Sequence, residues 1–293
     1  MISYSQTPIQ EIESPFLTEA GVRLLVKRED LNHPEVSGNK WWKLKYNLEQ
    51  ANEEGQDTLL TFGGAYSNHL YAVAAAASAL GMKSIGIVRG EETLPLNSTL
   101  RFVKTRGMEI HYVSRQAYRE KQNANFLHEL EEKFGRFYML PEGGTNALAV
   151  KGCLEFSMQL VAETEFDTLC LPVGTGGTMA GMVAGLKQHQ QAIGISVLKH
   201  GEFLNEEVKR WLTADASNWR IETGFDFGGY AKSNRELLDF IRMTQEQHNL
   251  PLDQVYTAKT LFGIYELIRA GKIRRSSVVM MLHTGGLQGA LAE

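Results

Sequence analysis

The chain has 293 residues, room for two domains or one large α/β unit with a lobe, and its 43% hydrophobic and 22% charged residues are those of an ordinary globular protein. Thirty Lys and Arg against 34 Asp and Glu leave a net charge of −4 with no basic stripe, so a nucleic-acid partner has no electrostatic support. The longest apolar stretch, residues 70–80, is alanine-rich and well short of the ~20 residues that cross a bilayer; with no leader pattern in residues 1–16, a cytoplasmic location without membrane contact is expected.

Residues 23–26 read as a short apolar strand leading into Lys27-Arg28-Glu29-Asp30 and a turn-rich loop that ends in Ser37-Gly38-Asn39-Lys40. Trp41, Leu44 and Leu48 follow at helical spacing, Lys45 and Glu49 are spaced to pair, and Gly55 supplies a stop, so Lys40 falls at or just inside a helix start. A lysine there opposes the helix dipole, which disfavours its protonated form and eases its use as a nucleophilic amine; taken alone it is simply a solvated charge. A second strand (58–62) runs into Gly63-Gly64-Ala65-Tyr66-Ser67-Asn68-His69 and an alanine-rich helix, a turn that binds an anion such as a carboxylate or only caps the helix.

Further along, strands at 84–88, 110–113 and 137–140 alternate with helices at 96–106 and 115–134. Glu142-Gly143-Gly144-Thr145-Asn146 is a third polar glycine turn, placed before a helix over 148–162. A buried strand (167–173) then meets Gly174, Thr175, Gly176, Gly177 and Thr178 and another helix (178–187), an arrangement that cradles one phosphate or makes a plain strand-to-helix turn. Met179 breaks a dinucleotide fingerprint, and Gly-Lys-Ser/Thr is missing. Beyond a strand at 193–198 and a helix at 202–212 lies an aromatic loop, 224–232, with Tyr230. A helix at 234–247, the segment 253–259 with Tyr256-Thr257-Ala258-Lys259 and another helix to about 270 follow, and the last strand (278–282) ends in His283-Thr284-Gly285-Gly286. Alternating strands and helices argue for parallel sheets covered on both faces.

Cys153 and Cys170, the two cysteines, sit in apolar patterns and read as core residues, and the eight histidines form no metal motif, so no metal site is expected. Four polar glycine turns at strand ends, one suited to phosphate and one to carboxylate, together with a lysine in a tight turn, describe a site for pyridoxal phosphate (PLP) and an amino acid.

The ordered set Lys27-Arg28-Glu29-Asp30, Ser37-Gly38-Asn39-Lys40, Ser67-Asn68-His69, Glu142-Gly143-Gly144-Thr145-Asn146, Gly174-Thr175-Gly176-Gly177-Thr178, Tyr256-Thr257-Ala258-Lys259 and His283-Thr284-Gly285-Gly286 resembles the motifs of fold-type II PLP enzymes. Within these the chain is similar to the group of 1-aminocyclopropane-1-carboxylate (ACC) deaminases and D-cysteine desulfhydrases. The resemblance implies a two-domain α/β fold like the tryptophan synthase β chain, with parallel-rich sheets flanked by helices and the cofactor in the interdomain cleft. It also implies a small domain over 55–145 inserted into a large one made of 1–54 and 146–293, and a homodimer.

By the same resemblance Lys40 would carry the cofactor and act as the base at Cα. Asn68 would bond the cofactor's phenolic oxygen, and Ser67, with Asn68 and His69 in its turn, would hold the substrate carboxylate. Gly174 to Thr178 would hold the phosphate, Thr284 would face the ring nitrogen, and Tyr256 and Tyr230 would line the substrate pocket. Deaminases of the group tend to carry Glu after the tyrosine and Leu after the histidine of the last turn, whereas this chain has Thr257 and Thr284. The implied activity is therefore α,β-elimination from D-cysteine, giving sulfide, pyruvate and ammonia. Alternatives are ACC deamination, lyase action on another small D- or L-amino acid, a PLP carrier with little catalysis, and a phosphometabolite-binding domain without PLP. Trp41-Trp42 replaces the usual x-Arg after the lysine, which adds indole bulk expected to alter the pocket.

Overall fold

The computed structural model describes residues 2–213 and 216–289. In chain order it contains β1 (Ile9–Ile12), α1 (Pro15–Ala20), β2 (Arg23–Lys27), α2 (Asn39–Glu53), β3 (Thr58–Gly63), α3 (Asn68–Leu80), β4 (Lys83–Arg89), α4 (Ser98–Thr105), β5 (Met108–Val113), α5 (Arg115–Arg119), α6 (Ala124–Phe134) and β6 (Tyr138–Leu140). The second half adds α7 (Ala147–Glu163), β7 (Thr168–Val173), α8 (Gly177–Ala184), β8 (Gln191–Ser196), α9 (Leu204–Lys209), β9 (Trp219–Glu222), α10 (Arg235–His248), α11 (Thr257–Arg269) and β10 (Val278–Leu282).

Two sheets result. One has the order β5-β4-β3-β6 and is wholly parallel. The other has the order β1-β2-β10-β7-β8-β9, with only β1 antiparallel to its neighbour. Every residue of β3 and β7 is buried, as parallel strands covered by helices on both faces require. The α/β architecture is the one the alternating pattern implied.

Local differences from the sequence reading have local causes. Residues 115–134 form two helices, because Asn123 turns the chain and its side chain caps the second by accepting the Asn125 N–H at 2.9 Å. Lys45 pairs with Glu155 of α7 at 2.6 Å instead of with Glu49, since packing of α2 on α7 brings that carboxylate closer. β1 and α1 carry too few apolar residues to show a period, although Ser14 and Gly21 cap α1 at its two ends.

The Lys27-Arg28-Glu29-Asp30 run is buried, and each charged group in it has hydrogen-bond partners. Lys27 meets Glu163 at 2.7 Å, and Arg28 grips Asp30 through two nitrogens at 2.9 and 2.7 Å. Glu29 accepts from Tyr4, Thr7, Asn32 and Trp42, so this carboxylate ties the N-terminal segment to α2. Buried charge is tolerated only with such complete partnering. Among the described residues, no helix is long and apolar enough to cross a membrane, and no group of three side chains could hold a metal ion.

Candidate active site

Four glycine turns leave the C-terminal ends of β3, β6, β7 and β10, and the Lys40 turn follows β2. Each touches the next closely enough to close a ring. A Cβ on Gly38, whose φ is 69°, would overlap the carbonyl oxygen of Thr284, so the Lys40 turn lies flush against the last turn. On Gly286 it would overlap the Asn68 amide, and on Gly144 it would come within 2.7 Å of the His69 ring. Gly143 and Gly177 meet the side chains of Thr175 and Thr145 in the same way, at 2.8 and 2.7 Å. Asn39 closes the circuit by donating to the Thr178 hydroxyl at 2.8 Å. Only glycine lets backbones approach this far, which explains why the sequence concentrates glycine at strand ends.

Lys40 stands on this ring as the second residue of α2, and it shares a small cavity with Ser37, Asn68, Tyr71, Thr284 and Gly286. Burial lowers its pKa from 10.5 to about 8. Across the ring, Gly176 (φ 80°) turns the chain into α8, and among the described residues no side chain caps that helix. Its first N–H groups therefore remain available to an anion.

A family model described as "Pyridoxal-phosphate dependent enzyme" matches residues 2–285. The chain belongs to this family. Among its relatives, a Thermotoga maritima protein named for 1-aminocyclopropane-1-carboxylate deaminase is 34% identical, covering all of this chain and 97% of its own length. An Arabidopsis thaliana protein named as a bifunctional D-cysteine desulfhydrase and 1-aminocyclopropane-1-carboxylate deaminase is 30% identical over 98% of this chain and 78% of its own. A solved structure titled as an ACC deaminase homologue superposes with a TM-score of 0.86 at 28% identity, covering 97% of this chain and 90% of that one. The fold is accordingly that of a fold-type II PLP enzyme.

The residues of this PLP-dependent enzyme fit its cofactor. PLP presents an aldehyde, a phosphate and a phenolic oxygen, and the ring offers a lysine of lowered pKa, an uncapped helix start with a left-handed glycine, and a carboxamide. His69 adds a second sign: it is buried, and neither ring nitrogen has a hydrogen-bond partner among the described residues. Burial and the nearby Lys40 and Lys43 hold its pKa well below the usual histidine range, so it is neutral. A buried orphan of this kind costs free energy unless a ligand engages it.

Sequence-predicted residues are brought together, with some in double roles. Ser67 caps α3 by accepting the Leu70 N–H at 3.2 Å, which leaves its own hydroxyl proton to donate. Asn68 accepts from Gln288 at 2.7 Å through Oδ1, so its N–H2 end is the free one. Tyr256 lies beside the cradle, its ring 3.5 Å from where a Cβ on Gly174 would be, and the Tyr230 ring meets it edge-on at 6.1 Å. Burial raises the pKa of both tyrosines, so both are neutral phenols able to donate. The Thr257 hydroxyl is 2.7 Å from an Asp253 carboxylate oxygen.

Trp41 and Trp42 do not line the cavity beside Lys40. Trp42 stacks on Phe156 at 4.9 Å and donates to Glu29, while Trp41 packs against Tyr4 at 4.7 Å. The expected effect of indole bulk on the pocket is corrected by helical phase, which turns both rings toward the core under β2 and α7.

Sequence reasoning missed Lys43. It is buried, and its Nζ donates to the Gly143 carbonyl at 2.5 Å and the Thr145 hydroxyl at 2.9 Å; Thr145 in turn meets the Thr175 hydroxyl at 2.8 Å. Its spacing of three from Lys40 was the available signal, because it puts both lysines on one helix face.

Proposed function

We propose that this enzyme is a D-cysteine desulfhydrase-type lyase, releasing sulfide, pyruvate and ammonia from a small thiol amino acid. The observation that carries the reading is Thr284 in the cavity of Lys40 and Asn68, a neutral hydroxyl at the position where the deaminases of the group tend to carry Leu. Among the described residues that hydroxyl has no protein hydrogen bond, and the Arabidopsis relative's name includes the same activity.

PLP, when bound, draws electron density from the substrate's Cα. Lys40 would hold it, and its free amine would take the Cα proton. Asn68 would donate to the phenolic oxygen, and Ser67 with the amides of its turn would bind the substrate carboxylate. Gly174, Thr175, Gly176, Gly177 and Thr178 would hold the phosphate at the start of α8. Tyr256 and Tyr230, as neutral phenols, line the place of the leaving thiolate and can donate to it. The same reading takes residues 55–145 as a small domain, 1–54 with 146–293 as a large one, and the working form as a cytoplasmic homodimer.

A second reading, ACC deamination, is favoured by the name of the Thermotoga relative. Incubating PLP-loaded protein separately with D-cysteine, L-cysteine and ACC separates the two. Sulfide and pyruvate from D-cysteine are expected; 2-oxobutanoate from ACC without sulfide from either cysteine would replace the proposal with the second reading.

A further inference from the structure

The loop that carries Tyr230 is conformationally expensive. Phe227 and Ala231 adopt φ of 52° and 54°, left-handed values that side-chain-bearing residues rarely take, and Gly224, Gly228 and Gly229 are left-handed too. Each such non-glycine residue costs about 1–2 kcal/mol, so the loop needs support from outside itself. Its own bonds are few: Gly228 N–H to the Asp226 carboxylate at 2.8 Å, and two turn bonds accepted by the Asp226 and Gly229 carbonyls.

Those same two carbonyls receive a second donor. Lys259, fully buried on α11, donates its ammonium to Asp226 O at 2.7 Å and to Gly229 O at 2.8 Å. Lys259 lies three residues after Tyr256, whose turn is itself fixed: the Asp253 carboxylate accepts the N–H groups of Val255, Tyr256 and Thr257 at 2.8–2.9 Å. Beyond the clamp, the Tyr230 hydroxyl reaches the Tyr66 carbonyl at 3.4 Å, in the turn that holds Ser67 and Asn68. One lysine thus joins the helix of one tyrosine to the loop of the other, and the loop reaches the opposite sheet's turn.

We infer that Lys259 is the positioning residue that sets the spacing of Tyr230 and Tyr256 and holds the Tyr230 loop across the site. It touches neither cofactor nor substrate. Its importance for turnover rests on the proposed role of the tyrosines, whereas the clamp rests on geometry alone. A buried ammonium must be fully hydrogen-bonded, so helix and loop cannot separate without stranding it. Burial brings its pKa to about 8, with Asp226 and Asp253 the acidic groups that oppose the shift.

The test compares the holoenzyme with Lys259→Met, Lys259→Arg and Tyr230→Phe by amide hydrogen exchange and steady-state kinetics. With Lys259→Met, exchange of 224–232 accelerates about tenfold or more while 257–269 stays protected, the visible cofactor band is unchanged, and kcat falls about tenfold with a smaller change in KM. Arginine, which restores a multiple N–H donor, recovers part of both losses. Should the methionine variant not fold, Lys259→Gln, with a neutral N–H2 head, takes its place in the same comparison. Unchanged protection of 224–232 overturns the clamp. A released loop with full turnover overturns its role in positioning, and Tyr230→Phe then separates the causes: full activity there means that the assignment of Tyr230 itself was wrong.

Discussion

Gly38 meets Thr284 backbone to backbone, so tightly that a single added methyl group would overlap the Thr284 carbonyl. The contact joins the turn that presents Lys40 to the turn that ends β10, the two ends of the site's polypeptide path. Neither neighbour is a flexible side chain that could move aside. Gly38→Ala therefore also suffers its φ of 69°, and we expect a loss of about 3 kcal/mol or more in stability with failure to retain PLP. Thermal unfolding and the visible absorbance of the purified protein read both; a variant that keeps PLP and its melting temperature would refute the contact.

Lys40 titrates near 8 because its charge is poorly solvated. The nucleophile is the neutral amine, whose fraction grows as pH rises through the pKa. Covalent uptake of PLP by the apoprotein should accelerate from pH 6 to 8 and level off above that, where an ordinary lysine would keep gaining toward 10.5. Stopped-flow absorbance across that range checks it, with Lys40→Ala as the variant that shows no covalent uptake.

Gln288 fixes which way Asn68 faces. By donating to Oδ1 it leaves the Asn68 N–H2 end for an oxyanion, an orientation a free carboxamide would adopt only part of the time. Gln288→Leu should weaken PLP binding about tenfold and shift the visible band, with little change in melting temperature of the apoprotein. Equilibrium dialysis and spectra of the variant decide this, and an unaltered band would mean that Asn68 is oriented by something else.

How far the sequence foretold this site depends on the kind of interaction. Strand-end glycine turns were legible because close backbone approach and left-handed φ leave a residue-type signature, as at Gly38 and Gly176. The parallel sheets were legible because strand and helix patterns alternate along the chain and β7 is apolar from Leu169 to Val173. Gln288 and Lys259 were not, since each acts through a bond to a carbonyl or carboxamide far away in sequence, and such bonds leave no periodicity; Lys43 left only its spacing of three from Lys40. Trp42 misled for a related reason: adjacency to Lys40 in sequence became opposite direction on a helix.

Glu29 offers a stability prediction of the same type. Its carboxylate accepts from Tyr4 and Thr7 on one oxygen and from Asn32 and Trp42 on the other. Glu29→Leu leaves the buried N–H groups of Asn32 and Trp42 without that acceptor, so about 2–4 kcal/mol should be lost in urea unfolding. Tyr4→Phe, which removes one donor at the partly buried edge, should cost less than half of that.

Thr257 and Thr284 are both hydroxyl residues at positions where the deaminases of the group carry other types, yet their surroundings separate them. Thr257 is spent on Asp253, bonded through both its N–H and its hydroxyl, and burial already raises the Asp253 pKa. Thr257→Glu would set a second carboxyl against a buried one, and we expect it to destabilise the fold by about 3 kcal/mol or more. Thr257→Val, which takes the acceptor from the Asp253 N–H and one of the donors from the Asp253 carboxylate, should cost about 1–3 kcal/mol. Thr284→Val breaks no hydrogen bond among the described residues, so its melting temperature should hold while its effect falls on turnover and on the visible band of the bound cofactor. Melting curves, spectra and sulfide release measured on the three variants give opposite patterns at the two positions. Loss of activity at Thr257→Val with unchanged stability would instead place that hydroxyl, and not the one on Thr284, against the cofactor.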